Sequence, residues 1–405
     1  MTGNSIKPTR PSERIHEIDI IRGLALFGIL MVNMSFFKSP LFFYRYPSNY
    51  PEGIEQISAW IIQLIFTGKF YAIFSFLFGL GFYIFMERTL AKDLELVPLY
   101  RRRLFALLAF GFIHLVVFWT GDILFSYALV GFILLGFRDQ PLESVGKWII
   151  GLFIVTLALN GIFGLLASAG EIAAGDQYST NMSEMIKDAI LVYREGSFKE
   201  LLVFRVINEL PYVIFSMVLW VPAVLGFFLC GLYVGKKGIF NDLPGHGPLF
   251  KKIRNRGLPL GAFFLVIYIL VETGAWPVSE VFRPSILAMS NYAASIFLFP
   301  AYAATALLAL QTDMGSKIFS PVAAAGRMAL TNYLSQTLIC VILFNGFGFG
   351  FYARVTIAEG ILITLAIYLV QVGWSNLWLS RFRYGPMEWF WRVLTYKETQ
   401  PFLNP

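Results

Sequence analysis

Long apolar stretches alternate with short polar segments along the 405 residues of the chain. A membrane-spanning helix needs about 20 mostly apolar residues, with about 17 as the lower limit. The candidate stretches are residues 18–37, 70–86, 104–119, 122–137, 147–167, 211–235, 258–273, 286–310, 327–346 and 357–379. The pattern therefore predicts an all-α, polytopic membrane helix bundle of about ten transmembrane helices.

The third and fourth candidates are short, and Gly121 and Asp122 form a tight break between them. Two interpretations stay open for this pair. It either crosses the membrane twice or forms a helical hairpin that does not cross fully, which is tolerated where protein covers the backbone.

The distribution of positive charge predicts the orientation. Lys7, Arg10 and Arg14 precede the first apolar stretch, and most of the 32 lysines and arginines fall in every second connection after it. Cytoplasmic loops are enriched in these residues, so both termini are predicted to be cytoplasmic. The stretch 18–37 is too long for a signal-peptide core and lacks a cleavage site, which predicts a retained first span.

Two further segments have an amphipathic pattern. Residues 168–210 predict a pair of amphipathic helices on the outer face, after Ser183, with a structured connecting loop favoured slightly over a functional lid. Residues 54–67 predict an interfacial helix. The chain thus divides into an N-terminal five-helix half (1–167), the connector (168–210) and a C-terminal five-helix half (211–396).

Composition supports a membrane location. Hydrophobic residues make up 57% of the chain and charged residues only 14%, against about 25% charged in soluble proteins. The net charge of +7 is explained by the short basic loops, so the lipid bilayer is the expected partner and nucleic acid is not.

Several chemistries are disfavoured by the motifs that are absent. Cys230 and Cys340 lie in apolar stretches, so neither a disulfide framework nor a cysteine metal site is indicated. The sequence contains no Walker motif, no H-E-x-x-H and no G-x-S-x-G. ATP-driven transport by this chain alone and zinc-protease chemistry are therefore not expected.

His114 is the first candidate for catalysis because ionisable groups at membrane depth are costly. It lies in the third apolar stretch, and Asp122 follows eight residues later near the outer end of the same hairpin. A carboxylate within reach of an imidazole is the usual way to orient a general base. The alternative is a neutral histidine hydrogen-bonded to a neighbouring helix.

Asp19, Arg22 and Asn33 predict a polar stripe along the first helix. Asp19 and Arg22 are three residues apart and can pair. Asn33 follows Arg22 by nearly three turns and shares its face. The stripe indicates either a lining of a binding site or a helix–helix seam with an arginine reaching the interface.

Further candidate binding residues lie near the other basic segments. Arg103 ends a run of three arginines, Asn332 and Gln336 share one face of the ninth candidate span, and the amphipathic C-terminal segment contributes Arg383, Glu388 and Arg392. Arginines in these segments can hold an anionic ligand such as a CoA phosphate, or lipid headgroups. Buried amides otherwise cross-link helices.

Several motifs in order resemble the YeiB family of bacterial membrane proteins. They are RIHEIDIIRGLALFGILMVN, FSFLFGLGF, RRRLFALLAFGFIH and GDILFSYALVGFILL, followed by AAAGRMALTNYLSQTLI and RYGPMEWFWR. The last two resemble that family's domain of unknown function. This resemblance implies a multi-pass protein of a bacterial cell membrane, specifically the inner one, and some descriptions of the family suggest transport.

A more remote resemblance connects the chain with membrane acyltransferases that acetylate sugars across a bilayer, such as lysosomal heparan-glucosaminide acetyltransferase. It rests on Asp19, Arg22, Gly23 and Asn33. In those enzymes the proposed histidine lies in a loop before the second span. This chain has no histidine there, and His114 lies one span later.

Three functions follow as hypotheses. The first is transfer of an acyl group from a cytoplasmic acyl-CoA to an acceptor at the membrane or outer face, with His114 and Asp122 as catalytic groups. The alternatives are a transporter or exporter of a small solute, and a non-catalytic scaffold or sensor working through 168–210. The acyl-CoA donor, an unidentified small-molecule substrate and a homo-oligomer are left open.

Overall fold

The computed structural model describes residues 15–41 and 46–404, and within these ranges the chain is helical, with no β-strand. Lys7, Arg10 and Arg14 lie outside the described residues. Helices α1 to α16 are His16–Lys38, Ile54–Ile61, Lys69–Leu90, Leu96–Ile113, Leu124–Leu135, Leu142–Ala174, Asp176–Glu195, Phe198–Phe204, Leu210–Lys236, Gly247–Glu272, Arg283–Leu310, Asp313–Phe319, Val322–Arg327, Ala329–Phe344, Ile357–Arg381 and Pro386–Tyr396. The π-helical turns Ile62–Phe66, His114–Phe118 and Arg205–Glu209 extend α2, α4 and α8.

Seven helical segments of the described chain are long and apolar enough to cross a membrane. They are α1, α2 with α3, α6, α8 with α9, α10, α11 and α15. A helix rises about 1.5 Å per residue, so lengths of 23 residues and more exceed the roughly 30 Å of a hydrocarbon core. The predicted all-α membrane bundle is confirmed, and the chain is a multi-pass membrane protein.

The remaining three candidate spans are helices that do not satisfy these length and composition limits. Helix α5 has 12 residues, which corresponds to about 18 Å. Helix α14 has 16 residues, and α4 starts at Leu96, so it contains all three arginines of the basic run. The length of α5 favours a hairpin that does not fully cross over two complete spans at 104–119 and 122–137.

The predicted connector is helical, with different bounds. Helix α6 continues through Ala174, and α7 begins at Asp176 rather than after Ser183. Helix α8 begins behind a capping box in which Ser197 accepts from the Glu200 amide and the Glu200 carboxylate accepts from the Ser197 amide. The interfacial helix predicted at 54–67 corresponds to α2 and the π turn after it.

Glycines allow the main helices to approach closely. The backbone of Phe76 lies against Gly231 where α3 crosses α9, and Gly326 of α13 lies against the Asp19 carbonyl of α1. Side chains at these glycines would overlap the neighbouring backbone, as at helix seams in lipid. The main core cluster contains Leu26 and Tyr127 of the predicted N-terminal half together with Phe228 and other residues of the C-terminal half.

The inner end of the bundle is the end that carries Arg103 and α16, which is the end predicted to be cytoplasmic.

Candidate functional site

His114 and Asp122 form a buried pair, as the sequence predicts. The imidazole Nδ1 lies 2.7 Å from Asp122 Oδ1, and the two side chains are 2% and 0% exposed. His114 begins the π turn after α4, and Asp122 precedes α5, where its Oδ2 accepts a hydrogen bond from the Phe125 amide at 2.6 Å. The start of α5 therefore holds the carboxylate in place, and the carboxylate orients the ring.

The second imidazole nitrogen faces a partner that the sequence did not reveal. His114 Nε2 lies 2.8 Å from the Thr337 hydroxyl of α14. Beside an ionised carboxylate, which can only accept hydrogen bonds, a neutral imidazole donates from Nδ1 to Asp122 and carries its lone pair on Nε2. This tautomer makes Nε2 the basic nitrogen, and the Thr337 hydroxyl donates to it.

A cavity of about 360 Å³ opens at the inner end, between α1, α3, α4, α13, α14 and α16. Its cationic lining consists of Arg22, Arg88, Lys92, Arg103, Arg327, Arg383 and Arg392, and its carboxylates are Asp19 and Glu388. Phe78, Leu107, Tyr127 and Tyr333 form apolar and aromatic parts of the wall deeper in the bundle. The cavity thus has a positively charged mouth and an aromatic interior.

Both carboxylates of the cavity are already engaged. Asp19 Oδ1 lies 2.7 Å from Arg22 Nη1. Glu388 accepts hydrogen bonds from the Leu330 and Thr331 amides and from the Thr331 hydroxyl at 2.7, 3.0 and 2.6 Å. A carboxylate in this position caps the first turn of α14 and complements its dipole.

The arginines of the mouth lie close to one another. The Arg103 guanidinium stacks on the Trp391 ring, with its Cζ 3.6 Å from the ring centroid. Arg22 and Arg392 are near enough to repel it electrostatically. Within the described ranges Arg103 and Arg392 form no ion pair with a carboxylate, so an anion in the cavity would relieve this repulsion.

Tyr333 connects the cavity with the buried histidine. Its side chain lines the cavity, and its ring centroid lies 5.2 Å from that of His114. Its hydroxyl accepts a hydrogen bond from the Ile123 amide, which directly follows Asp122. His114 and Asp122 do not line the cavity themselves, and Tyr333 is a cavity residue that lies beside them.

The structure gathers six of the predicted site residues in one cavity and leaves the others elsewhere. Asp19, Arg22, Arg103, Arg383, Glu388 and Arg392 line it, while His114, Asp122, Asn33, Asn332 and Gln336 do not. Arg88, Lys92 and Arg327 were not predicted, because in sequence each resembles an ordinary basic residue at a helix end. The one available sequence signal for Arg327 was that it directly follows a run of small residues, in AAAGR.

The two predicted amides connect helices. Asn332 donates to the Ala325 carbonyl and to the Ser375 hydroxyl at 3.1 and 3.0 Å, and Gln336 donates to Gln371 at 2.9 Å. These contacts join α13, α14 and α15, which is the cross-linking role that amides have in lipid. Asn33, predicted to continue the Arg22 stripe, lies about three turns along α1, away from the cavity.

A second buried polar cluster holds the turn that contains His114. Arg205 is 2% exposed and donates to the carbonyls of Val117 and Phe118 at 3.3 and 2.7 Å. Thr120 donates to Glu209 at 2.7 Å, and Tyr193 accepts from Arg205 and donates to Glu209. Two π turns, which are frequent at functional sites, are thereby fixed against each other.

Glu209→Gln is expected to lower the free energy of unfolding by about 2 kcal/mol, because an amide NH₂ replaces an oxygen that accepts from buried donors. Glu200→Gln is the matched control, since a capping box accepts glutamine as well as glutamate. Thermal unfolding in detergent micelles measures the stability of both variants. Equal melting temperatures for the two variants would contradict the cluster's structural role.

Glu388 is expected to make stability pH-dependent. Burial raises its pKa above the ordinary 4.5, so the folded state holds a proton that the unfolded state releases. Its stability contribution is complete below the ordinary pKa of 4.5 and is lost as the pH rises through the raised folded pKa. The melting temperature of the wild type should therefore rise on acidification relative to that of Glu388→Gln, whose side chain at this position does not titrate. A difference in melting temperature between the wild type and Glu388→Gln that stays constant with pH would exclude this contribution of Glu388.

No group of three or more His, Cys, Asp or Glu side chains within residues 15–41 and 46–404 is arranged to hold a metal ion.

Comparison with known proteins identifies relatives along nearly the whole chain. It is 33% identical over 414 aligned positions to "Uncharacterized protein YxaH" of Bacillus subtilis (strain 168), with 98% of each chain covered. It is 30% identical to "Uncharacterized protein YeiB" of Escherichia coli (strain K12), covering 97% of this chain and 99% of that one. The chain belongs to the YeiB-like family.

The YeiB-like chain also matches the family described as "Protein of unknown function (DUF418)" over residues 234–398. A further relative is the "Uncharacterized 39.9 kDa protein in amylase 3'region" of Bacillus acidopullulyticus, 30% identical with 98% of each chain covered. No solved structure matches. In the YeiB-like protein, Glu388 of the motif RYGPMEWFWR caps α14 of the motif AAAGRMALTNYLSQTLI, so these two motifs form one structural unit.

Proposed function

We propose that this protein is a membrane acyltransferase that takes its acyl group from acyl-CoA at the inner end of the bundle and passes it to an acceptor in or beyond the membrane. We place it in the bacterial inner membrane. The observation that carries the proposal is one cavity with arginines at its mouth, an aromatic interior and, beside Tyr333, a His–Asp pair.

The two regions of the cavity match the two regions of an acyl-CoA. Guanidinium groups bind phosphate oxygens in pairs of hydrogen bonds, and Arg22, Arg103 and Arg392 have more positive charge among them than Asp19 can neutralise. The pantetheine arm and acyl group are less polar, and they would extend along Phe78 and Tyr127. The Glu388 carboxyl is already occupied by the Leu330 and Thr331 amides and the Thr331 hydroxyl.

The buried pair supplies the base for such a reaction. Asp122 accepts from Nδ1 and leaves Nε2 free to take a proton from a hydroxyl or an amine. Burial of both side chains strengthens their interaction, because water does not screen it. Reaction then requires a local movement that opens the cavity toward the imidazole, since His114 does not line the cavity and Tyr333 is the cavity residue beside it.

Binding of acetyl-CoA to the purified protein in lipid nanodiscs tests the proposal. Acetyl-CoA is expected to bind at least about tenfold more tightly than S-acetyl-pantetheine, which has the same thioester but no phosphate, because charged hydrogen bonds contribute about 1.5–3 kcal/mol each. Isothermal titration measures both affinities. Equal affinity for the two compounds would contradict the assignment of the mouth to phosphates.

Transport of an anionic solute is the second candidate, and a specific observation favours it. The cavity lies at the inner end of the bundle, and toward the opposite end rings stack on each other: Phe37 on Trp119 at 4.0 Å and Tyr193 on Tyr352 at 4.4 Å. A site open to one side is what alternating access requires. Accumulation of a solute in proteoliposomes that lack acyl-CoA would favour this candidate over acyl transfer.

A further inference from the structure

We infer that Thr337 is the nucleophile of the reaction and that its hydroxyl becomes acylated before the acceptor is. This inference rests on the proposed acyl transfer and names the covalent step within it. It makes Thr337, His114 and Asp122 a catalytic triad assembled within the membrane bundle.

The geometry is that of a nucleophile, a base and an orienting carboxylate. The Thr337 hydroxyl lies 2.8 Å from His114 Nε2, and His114 Nδ1 lies 2.7 Å from Asp122. Three separate elements contribute these groups: α14, the π turn after α4 and the residues before α5. Such hydrogen-bonded triads activate hydroxyl groups on unrelated folds, and they are recognised by their geometry rather than by sequence position.

The hydroxyl of Thr337 is oriented unlike those of four other helical threonines in this protein. Thr89, Thr156, Thr305 and Thr364 each donate to the carbonyl four residues earlier, at 2.7 or 2.8 Å. This local bond is the usual one for threonine inside a helix. Thr337 directs its hydroxyl to the imidazole instead, so its proton is already on the path to the base.

Thr337 lies one helical turn from the cavity. Tyr333 lines the cavity and precedes Thr337 by four residues on α14, so the two share a face about 6 Å apart along the axis. Thr337 is 1% exposed, so the proposed reaction requires a local movement that opens the cavity toward it, and Tyr333 is the cavity residue one turn away. An acyl group that reaches the floor of the cavity would then meet this hydroxyl next.

The covalent steps balance without a further reagent. The Thr337 oxygen attacks the thioester carbonyl, its proton passes to His114 Nε2, and the carbon–sulfur bond breaks. The imidazolium returns that proton to the leaving sulfur, which gives free CoA thiol and an acyl ester on Thr337. An acceptor hydroxyl or amine then attacks the ester carbonyl and gives its proton to His114. The ester bond to Thr337 breaks, and the Thr337 oxygen takes that proton from His114.

The experiment uses acetyl-CoA and the full chain in nanodiscs, without an acceptor. A burst of about one CoA thiol per chain is expected, together with an acetyl group on the peptide that contains Thr337, found by mass spectrometry after acid quenching. Thr337→Ser should keep both signals, and Thr337→Val should lose both. Thr364→Val, which removes an equally buried hydroxyl bonded within its own helix, should match the wild type.

Three outcomes would overturn the inference. A burst that persists in Thr337→Val, or an acetyl group found on His114 rather than on Thr337, would show that the threonine is not the nucleophile while leaving acyl transfer intact. Acetyl-CoA that binds the wild type without any burst or label would also exclude the acyl-threonine. Acetyl-CoA that does not bind in the cavity would instead count against the proposed function itself.

Discussion

Replacing His114 with asparagine is expected to slow acyl transfer by about 10³-fold, the usual contribution of a positioned general base. Asparagine is similar in size but cannot accept a proton at the position of Nε2. Acetyl-CoA affinity should change less than about twofold, because His114 does not line the cavity. Release of CoA thiol and direct binding, measured on the same nanodisc preparation, separate these two effects.

His246→Asn is the matched control for this change. His246 lies in the loop before α10, where its Nδ1 contacts the Asp242 carbonyl, and its replacement should leave both measurements unchanged. Asp122→Asn gives an independent check, because it keeps the histidine but removes the carboxylate that fixes its tautomer. Full activity of His114→Asn at normal abundance would contradict the catalytic assignment.

Arg103→Gln is expected to weaken acetyl-CoA binding by about 10- to 100-fold, since one charged hydrogen bond to phosphate contributes about 1.5–3 kcal/mol. Arg103 is the member of its basic run that lines the cavity. The acetyl-CoA affinity of Arg103→Lys should lie between those of the wild type and Arg103→Gln, because lysine keeps the charge but cannot form the paired hydrogen bonds of a guanidinium. Isothermal titration at fixed salt measures the three affinities.

Arg102→Gln is the control, since it makes the same chemical change one residue earlier on an exposed side chain. Its affinity should stay within about twofold of the wild type at physiological salt, where exposed charges are screened. Equal losses for Arg102→Gln and Arg103→Gln would indicate a diffuse attraction of anions to a basic surface. The cavity would then have no specific role in binding.

The membrane bundle could be predicted because apolar length and loop charge act locally along the chain. Helix α1 follows its predicted limits to within two residues, and the Asp19–Arg22 pair forms because three residues bring two side chains to one face. The starts of α4 and α10 were less predictable, because these helices begin at Leu96 and Gly247 and not at residues 104 and 258. The hydropathy of a stretch does not show how far a helix extends into the basic segment that precedes it.

The candidate site could be predicted only in part. The spacing of His114 and Asp122 is short enough for sequence to suggest their contact, whereas Thr337 lies 223 residues from His114. Glu388 was predicted to bind a ligand, but it caps α14 as well as lining the cavity. Such roles depend on packing between distant segments, which hydrophobic periodicity does not encode.

The most direct test of the account is a structure of the full chain in lipid nanodiscs with a non-hydrolysable ether analogue of acetyl-CoA. We predict density inside the cavity, with phosphate oxygens about 3 Å from the Arg103 and Arg392 guanidinium groups and the acyl end directed toward Tyr333. Analogue bound at a different place on the protein, or an empty cavity at a saturating concentration, would contradict the account.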